Sequence, residues 1–277
     1  MFRPALDREP WSRTELDTDL HAALEQEQFR LVYQPIYGLA DLTLIGVEAL
    51  IRWQHPTRGE LAPQEFIPAL ESSGEILEVG RWVLVQACIQ MQLWRTAGSD
   101  LSVSVNVSAR QLDTDDIIDD VRDALTASGL PATALTLEIT ETALMRDLDA
   151  ITGRLNQLKQ LGVQIALDDF GTGYSSLAYL QRFPVDTLKI DGAFINAISR
   201  SRDSDAIIRT LVQLGHDLGV RTVAEGVETT HQLDHVRRQG VDEVQGFLLS
   251  KPLDADSLDR LVLQPIRQLP ASAHTGT

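Results

Sequence analysis

In TLEIT, Thr136 to Thr140, one carboxylate sits between two apolar residues. Side chains of a strand alternate between its two faces, so Leu137 and Ile139 point one way and Glu138 points the other. If the apolar pair packs under helices, the glutamate is aimed into whatever the strands enclose. SVNVS, Ser104 to Ser108, repeats the pattern, with Asn106 between Val105 and Val107. A carboxylate aimed into a closed sheet is not a solvated one, so the fold turns on how many other strands do the same.

Working outward, short Val-, Ile- and Leu-rich segments read as strands over 30–36, 44–53, 101–107, 135–140, 163–168, 187–191, 221–224 and 242–246. Between them lie amphipathic stretches that read as helices over 63–73, 77–96, 114–128, 147–161, 175–182, 203–218 and 230–239. A capping-box pattern at Ser12 to Glu15 opens a further helix toward Glu27. Repeated strand–helix alternation implies a parallel sheet with helices outside it. Eight strands over this length fit a closed barrel better than an open doubly wound sheet, and no dinucleotide fingerprint follows the first strand. YGLADLTL, which links the first two strands, is too short for a helical crossover, so that pair is antiparallel. The expectation is an α/β fold, a modified TIM (β/α)8 barrel with an antiparallel first strand. Residues 14–263 form the domain, 1–13 an extension and 264–277 a tail with the composition of a frayed terminus.

The formal charge of −16 argues against polymeric nucleic acid as a partner, because phosphate-backbone binding needs Lys and Arg clustered on one face. Cys88 is the single cysteine, set in an apolar helix, so no internal disulfide is possible and the cytoplasm is the default compartment. No apolar run approaches the roughly 20 residues of a membrane-spanning helix.

Every strand closes on a polar group: Glu48 with Arg52, Asn106, Glu138, Asp168 with Asp169, Lys189, Glu225 and Gln245. In a barrel these ends meet on one face. Two unit charges about 5 Å apart repel by roughly 3 kcal/mol at an effective dielectric near 20. Several carboxylates together lose on the order of 20 kcal/mol, more than a typical domain's net stability. A pair of divalent cations relieves this, and oxygen donors plus an Asn carbonyl select Mg2+ or Mn2+ over Zn2+. Asp168 then sits between two ions with Asp169 turned to the second, and GTGYSS becomes a loop over the site hinged on Gly171 and Gly173.

VEALIRW (47–53), NVS (106–108), LEITE (137–141), DDFGTGYSSL (168–177), LKID (188–191), AEGVE (224–228) and QGFLLSKPL (245–253) together resemble an EAL domain, a bacterial family that hydrolyses cyclic-di-GMP. The resemblance spans roughly residues 14–263. It implies that Glu48, Asn106, Glu138 and Asp168 hold one metal and that Asp168, Asp169 and Glu225 surround the second. Lys189 matches the lysine that positions or deprotonates the attacking water. Arg52 matches an arginine that grips a substrate phosphate, and Gln34 a residue near the guanine, with Asp191 grouped among the substrate contacts. Glu141 matches the glutamate that anchors the loop after Asp169, a contact tied to dimerisation and regulation. Gln245 and Glu228 match supporting positions. The family's reaction opens one phosphodiester to give linear pGpG, and its members form homodimers and carry sensory or cyclase-like domains upstream. Leu249 and Phe247 depart from the aromatic residue and tyrosine usual there, and neither removes a ligand.

Blander readings compete. Arg52 pairs structurally with Glu48, or Lys189 only lines the barrel beside a carboxylate. Gly171-x-Gly173 alone is a weak phosphate-loop signal. His231 and His235 lie four apart on a helix with no third ligand in view, which favours a solvated face over zinc. Against the enzyme stand two alternatives: a catalytically silent cyclic-di-GMP receptor, and an interaction module acting through the first helix and the loop after Asp169.

Overall fold

The computed structural model describes residues 13–171, 182–198 and 202–262. Ser12, Gly173, all but the last residue of the helix read over 175–182, and the tail 264–277 lie outside the described residues.

Helix α1 (Arg13–Glu25) precedes β1 (Phe29–Gly38) and β2 (Leu44–His55), which pair antiparallel with Gln34 opposite Glu48. The turn between them needs a left-handed residue, supplied by Leu42 at φ 55. A short strand β3 (Gly59–Leu61) folds back on the end of β2 and leads into α2 (Pro63–Ser73) and α3 (Ile76–Thr96). Then come β4 (Ser102–Asn106), α4 (Ala109–Leu112), α5 (Asp116–Ser128), β5 (Leu135–Thr140), α6 (Glu141–Leu144), α7 (Leu148–Leu161) and β6 (Gln164–Phe170). The chain continues with β7 (Thr187–Ile190), α8 (Gly192–Asn196), α9 (Arg202–Leu218), β8 (Arg221–Ala224), α10 (Thr230–Gln239), β9 (Glu243–Val244) and α11 (Ala255–Val262).

The sheet runs β1-β9-β8-β7-β6-β5-β4-β2-β3, and β1 also pairs with β2, which closes eight strands into a barrel. β1 is antiparallel to both its neighbours, β2 and β9, while β2 and β4 through β9 run parallel. The modified barrel expected from the alternation is therefore the fold. The sequence reading missed β3, α4, α6, α8 and α11.

Alternation sorts the strands as the sequence implied. Val103, Val105, Leu135, Leu137, Ile139, Ile165, Leu188 and Ile190 are buried beneath the helices, while Glu138 and Lys189 are buried inside the barrel. Helix α3 supplies much of the outer packing through Val83, Leu84, Ala87, Cys88, Met91 and Trp94, a stripe at helical spacing. Cys88 is part of that stripe, and burial pushes its thiol up to about 12, so it packs as a small apolar residue. Among the described residues no helix is long and apolar enough to cross a membrane.

Candidate active site

Lys189 projects from β7 into the barrel and is 2% exposed. Its Nζ lies 2.5 Å from Glu138 Oε2, 2.6 Å from Glu225 Oε1, 3.4 Å from Asp168 Oδ1 and 3.8 Å from Glu48 Oε2. Four strands and the turn after β8 thus deliver one ammonium and four carboxylates to one end of the barrel. A protonated lysine at the centre offsets part of the mutual repulsion expected from the sequence. It does not offset all of it, since four carboxylates face one cation.

The titration of the cluster shows that excess. Burial, then Glu48, holds Glu138 well above the usual carboxylate range. Burial pushes Glu225 up to about 8, and burial followed by the Asp168 charge pushes Asp169 up to about 6. Burial opposes the charge on Lys189, but Glu138, Glu225, Glu48 and Asp168 outweigh it and hold the ammonium well above its ordinary value.

Side-chain amides tie the rim together. Asn106 Nδ2 donates to Glu48 Oε1 at 2.7 Å, and Gln245 Nε2 donates to Glu48 Oε2 at 2.7 Å. With both amide nitrogens spent on Glu48, Gln245 Oε1 is left buried without a partner among the described residues. Gln34, opposite Glu48 in the β1–β2 register, donates Nε2 to the Ser250 carbonyl.

At the end of β6 the backbone changes hand. Asp169 has φ 55, the ladder with β7 breaks register between Leu167 and Phe170, and the Asp169 amide donates to Asp168 Oδ1 at 2.9 Å. Asp tolerates this region better than most residues, and the turn re-aims its carboxylate away from the one before it. Gly171 follows at φ 96, where a side chain would be strained and would press within 3.2 Å of the Phe194 ring. Its amide donates to Glu141 Oε2 at 3.2 Å, so the loop's first residue is held from two sides.

Other residues singled out from the sequence stand at the edge. Arg52 lies two positions beyond Leu50 on the face of β2 that carries Glu48, and its Nη1 donates to the Ile51 carbonyl. Asp191 caps α8 by accepting from the Ala193 amide. Glu228 is exposed, and its backbone amide donates to Gln232 Oε1. His235 is buried and lies 3.4 Å from Asp205, so it belongs to helix packing between α9 and α10.

A cavity of about 770 Å³ opens beside the cluster, reaching from Glu48, Asn106 and Asp169 to apolar walls of Ile67, Pro68, Val79 and Val83 on α2 and α3. That is the size range of small-molecule sites, about 300–1,000 Å³. Among the described residues no three acidic or imidazole groups already converge as a metal-binding group, and Lys189 stands where the carboxylates meet. The donor set still suits a hard cation: the groups are oxygen donors, they carry excess negative charge, and Gln245 offers an unpaired buried oxygen.

The sequence matches the family described as EAL domain across residues 17–252. Bifunctional diguanylate cyclase/cyclic di-GMP phosphodiesterase MucR of Pseudomonas aeruginosa is 44% identical over 258 residues, 93% of this chain and 38% of that protein. Cyclic di-GMP phosphodiesterase NbdA of the same organism is 43% identical over 249 residues, 90% of this chain and 32% of that one. The chain therefore spans well under half the length of these curated relatives. A solved structure of the PaMucR phosphodiesterase in complex with c-di-GMP superposes with a TM-score of 0.86 at 46% identity, covering 88% of this chain and 99% of that one.

Proposed function

The chain belongs to the EAL domain family, and from that premise we propose that it is a phosphodiesterase that hydrolyses one phosphodiester bond of cyclic-di-GMP to linear pGpG. One observation carries the reading: Lys189, Glu138, Glu225, Asp168 and Glu48 meet at one end of the barrel beside a cavity large enough for a dinucleotide's base.

Glu48, Asn106, Glu138 and Asp168 would hold one Mg2+ or Mn2+ ion, and Asp168, Asp169 and Glu225 a second. Such ions, when bound, acidify a water and polarise phosphoryl oxygens. The chain's own residues do the positioning. Asn106 and Gln245 fix both oxygens of Glu48. Lys189 donates to Glu138 and lies within ion-pair distance of Glu225 and Asp168, which holds the carboxylates in one arrangement. Release of one of those contacts gives Nζ an N–H for the attacking water. Arg52, half-buried on the rim, would meet a phosphate, and a planar guanidinium suits that group. Glu141 and Phe194 set where the loop after Asp169 begins.

The same reading takes the domain as residues 14–263, the working form as a cytoplasmic homodimer, and the longer protein as carrying a sensory or cyclase-like domain upstream. Incubation of purified protein with cyclic-di-GMP and Mn2+ tests the activity. Linear product is the expected outcome; intact dinucleotide bound without turnover would make the chain a receptor instead.

A further inference from the structure

Beneath the acidic cluster the barrel is unusually small and polar. Two positions before five of the rim groups, on the same face of the strand, stand Gly46 under Glu48, Ser104 under Asn106, Thr136 under Glu138, Ala166 under Asp168 and Thr187 under Lys189, while Val223 under Glu225 and Glu243 under Gln245 complete the layer. A barrel of this class ordinarily fills that layer with bulky branched side chains. Here the small residues leave a chamber of about 60 Å³ that Glu138 and Lys189 line from above. Its outer end is bounded by Arg221, whose Nη1 lies 2.6 Å from Glu243 Oε1 and whose Nη2 donates to Thr187 Oγ1 at 3.2 Å.

We propose that this chamber is a resident water site and that Thr136 organises it, so that ordered water braces the Lys189–Glu138 pair from the side opposite the mouth. That space has room for water, and each water needs two to four polar partners. Those partners are at hand. The hydroxyls of Ser104 and Thr136 make no hydrogen bond to protein among the described residues, although both residues are buried and line the chamber. A buried ion pair holds its place only when its remaining lone pairs and protons are also satisfied, and hydroxyls alone, pointing across a dry gap, do not do that. Ser104 and Thr136 are register neighbours in sequence order across β4 and β5, so one water can be shared between them. Thr136 is then a positioning residue: it acts through water on Glu138 and Lys189 and touches no substrate.

The water site stands without any assumption about activity, while the positioning role rests on the phosphodiesterase reading. High-resolution diffraction of the full chain should show water within hydrogen-bonding distance of Thr136 Oγ1 and a Glu138 oxygen; a dry chamber overturns the proposal whether or not the protein turns over. In the kinetic arm, Thr136→Val keeps the shape and removes the hydroxyl. Turnover should fall about tenfold in kcat with KM within about twofold, the equivalent of about 1.4 kcal/mol in the barrier. Thr136→Ser should recover most of the loss, and Ser104→Ala, which shares the water, should lower kcat in the same direction if Thr136→Val fails to fold. Wild-type kcat in Thr136→Val, or a serine variant as slow as the valine one, overturns the positioning role. A wild-type protein that cleaves nothing overturns the phosphodiesterase reading and leaves the diffraction result to judge the chamber.

Discussion

Lys189 and Glu138 form an ion pair with Nζ 2.5 Å from Oε2, and both side chains are all but inaccessible to solvent. Removal of one partner from such a pair strands the other charge in the interior, which costs about 3–5 kcal/mol in measured cases. Lys189→Met in chelator should therefore lower the unfolding free energy by about that much. The double variant Lys189→Met with Glu138→Gln should lose less, because one of the carboxylates left without the ammonium has gone. Urea unfolding of wild type, Lys189→Met, Glu138→Gln and the double variant reads the coupling directly. A single variant as stable as wild type would mean that the ammonium does not hold the cluster together.

The raised carboxyls give the metal-free protein a pH dependence of definite sign. Glu225, at about 8, and Asp169, at about 6, both lie above their ordinary values of 4.5 and 3.8. Between ordinary and folded values the folded state binds more protons than the unfolded one, so stability falls as pH rises. The contribution is whole below the ordinary carboxylate range and is lost through about pH 6 and then about pH 8. Glu48 is held below its ordinary value, since Lys189 and the amides of Gln245 and Asn106 outweigh its burial, and its window lies on the acid side. In chelator the melting temperature should drop from about pH 5 to about pH 8. With saturating Mn2+ the drop should vanish or reverse, because cations bind the ionised ligands of the folded state; at about 100 times Kd that linkage is worth about 2.7 kcal/mol. Superimposable melting curves with and without chelator would argue against ions at this cluster.

Gly171 is the hinge whose demands are most local. Its φ of 96 disfavours any side chain, and a Cβ there would lie 3.2 Å from Phe194 Cε2 and 3.6 Å from Leu211 Cδ1. Gly171→Ala should cost about 1–3 kcal/mol, the usual range for a non-glycine residue held in a sparsely populated backbone region. Glu141→Ala removes only the acceptor of the Gly171 amide, so it should raise KM or lower kcat with a smaller effect on stability. Calorimetry and steady-state kinetics on both variants separate the two contributions. Equal stability losses would show that Glu141 supports the fold rather than the loop's position.

What the sequence made legible, and what it did not, follows from range of interaction. Glu138 between Leu137 and Ile139 announced its direction because alternation is a property of three consecutive residues. The rim was legible for the same reason, repeated strand by strand. β3 was not, since Gly59–Leu61 is too short to show any period and is made a strand by pairing with Trp53–His55. α6 and α8 each run barely one turn and owe their form to packing and to caps such as Asp191. Lys189 reads as a catalytic candidate from the sequence, yet its place among four carboxylates is a property of the closed barrel, in which β7 lies beside β6, two places from β5 and opposite β2. The small residues Gly46, Ser104 and Ala166 stand in the sequence two positions before Glu48, Asn106 and Asp168, but small residues in strands carry no functional signal of their own.

Asp169 allows backbone and charge to be separated at one position. It is held at φ 55 with its amide on Asp168 Oδ1. Asn and Asp enter that left-handed region more readily than other residues bearing a side chain, whereas alanine there costs about 1–2 kcal/mol. Asp169→Asn should therefore keep wild-type stability while Asp169→Ala loses about that amount. Turnover should follow the other grouping. If the carboxylate holds the second ion, both variants lose activity on the order of 100-fold, close to 3 kcal/mol in the barrier, and both bind Mn2+ more weakly by calorimetric titration. Two rankings that disagree, stability with Asn beside wild type and activity with Asn beside Ala, assign the charge to catalysis and the turn to folding. Near-normal turnover in Asp169→Asn would reverse that assignment, leaving Asp169 as a residue retained for its backbone and the second ion without one of its ligands.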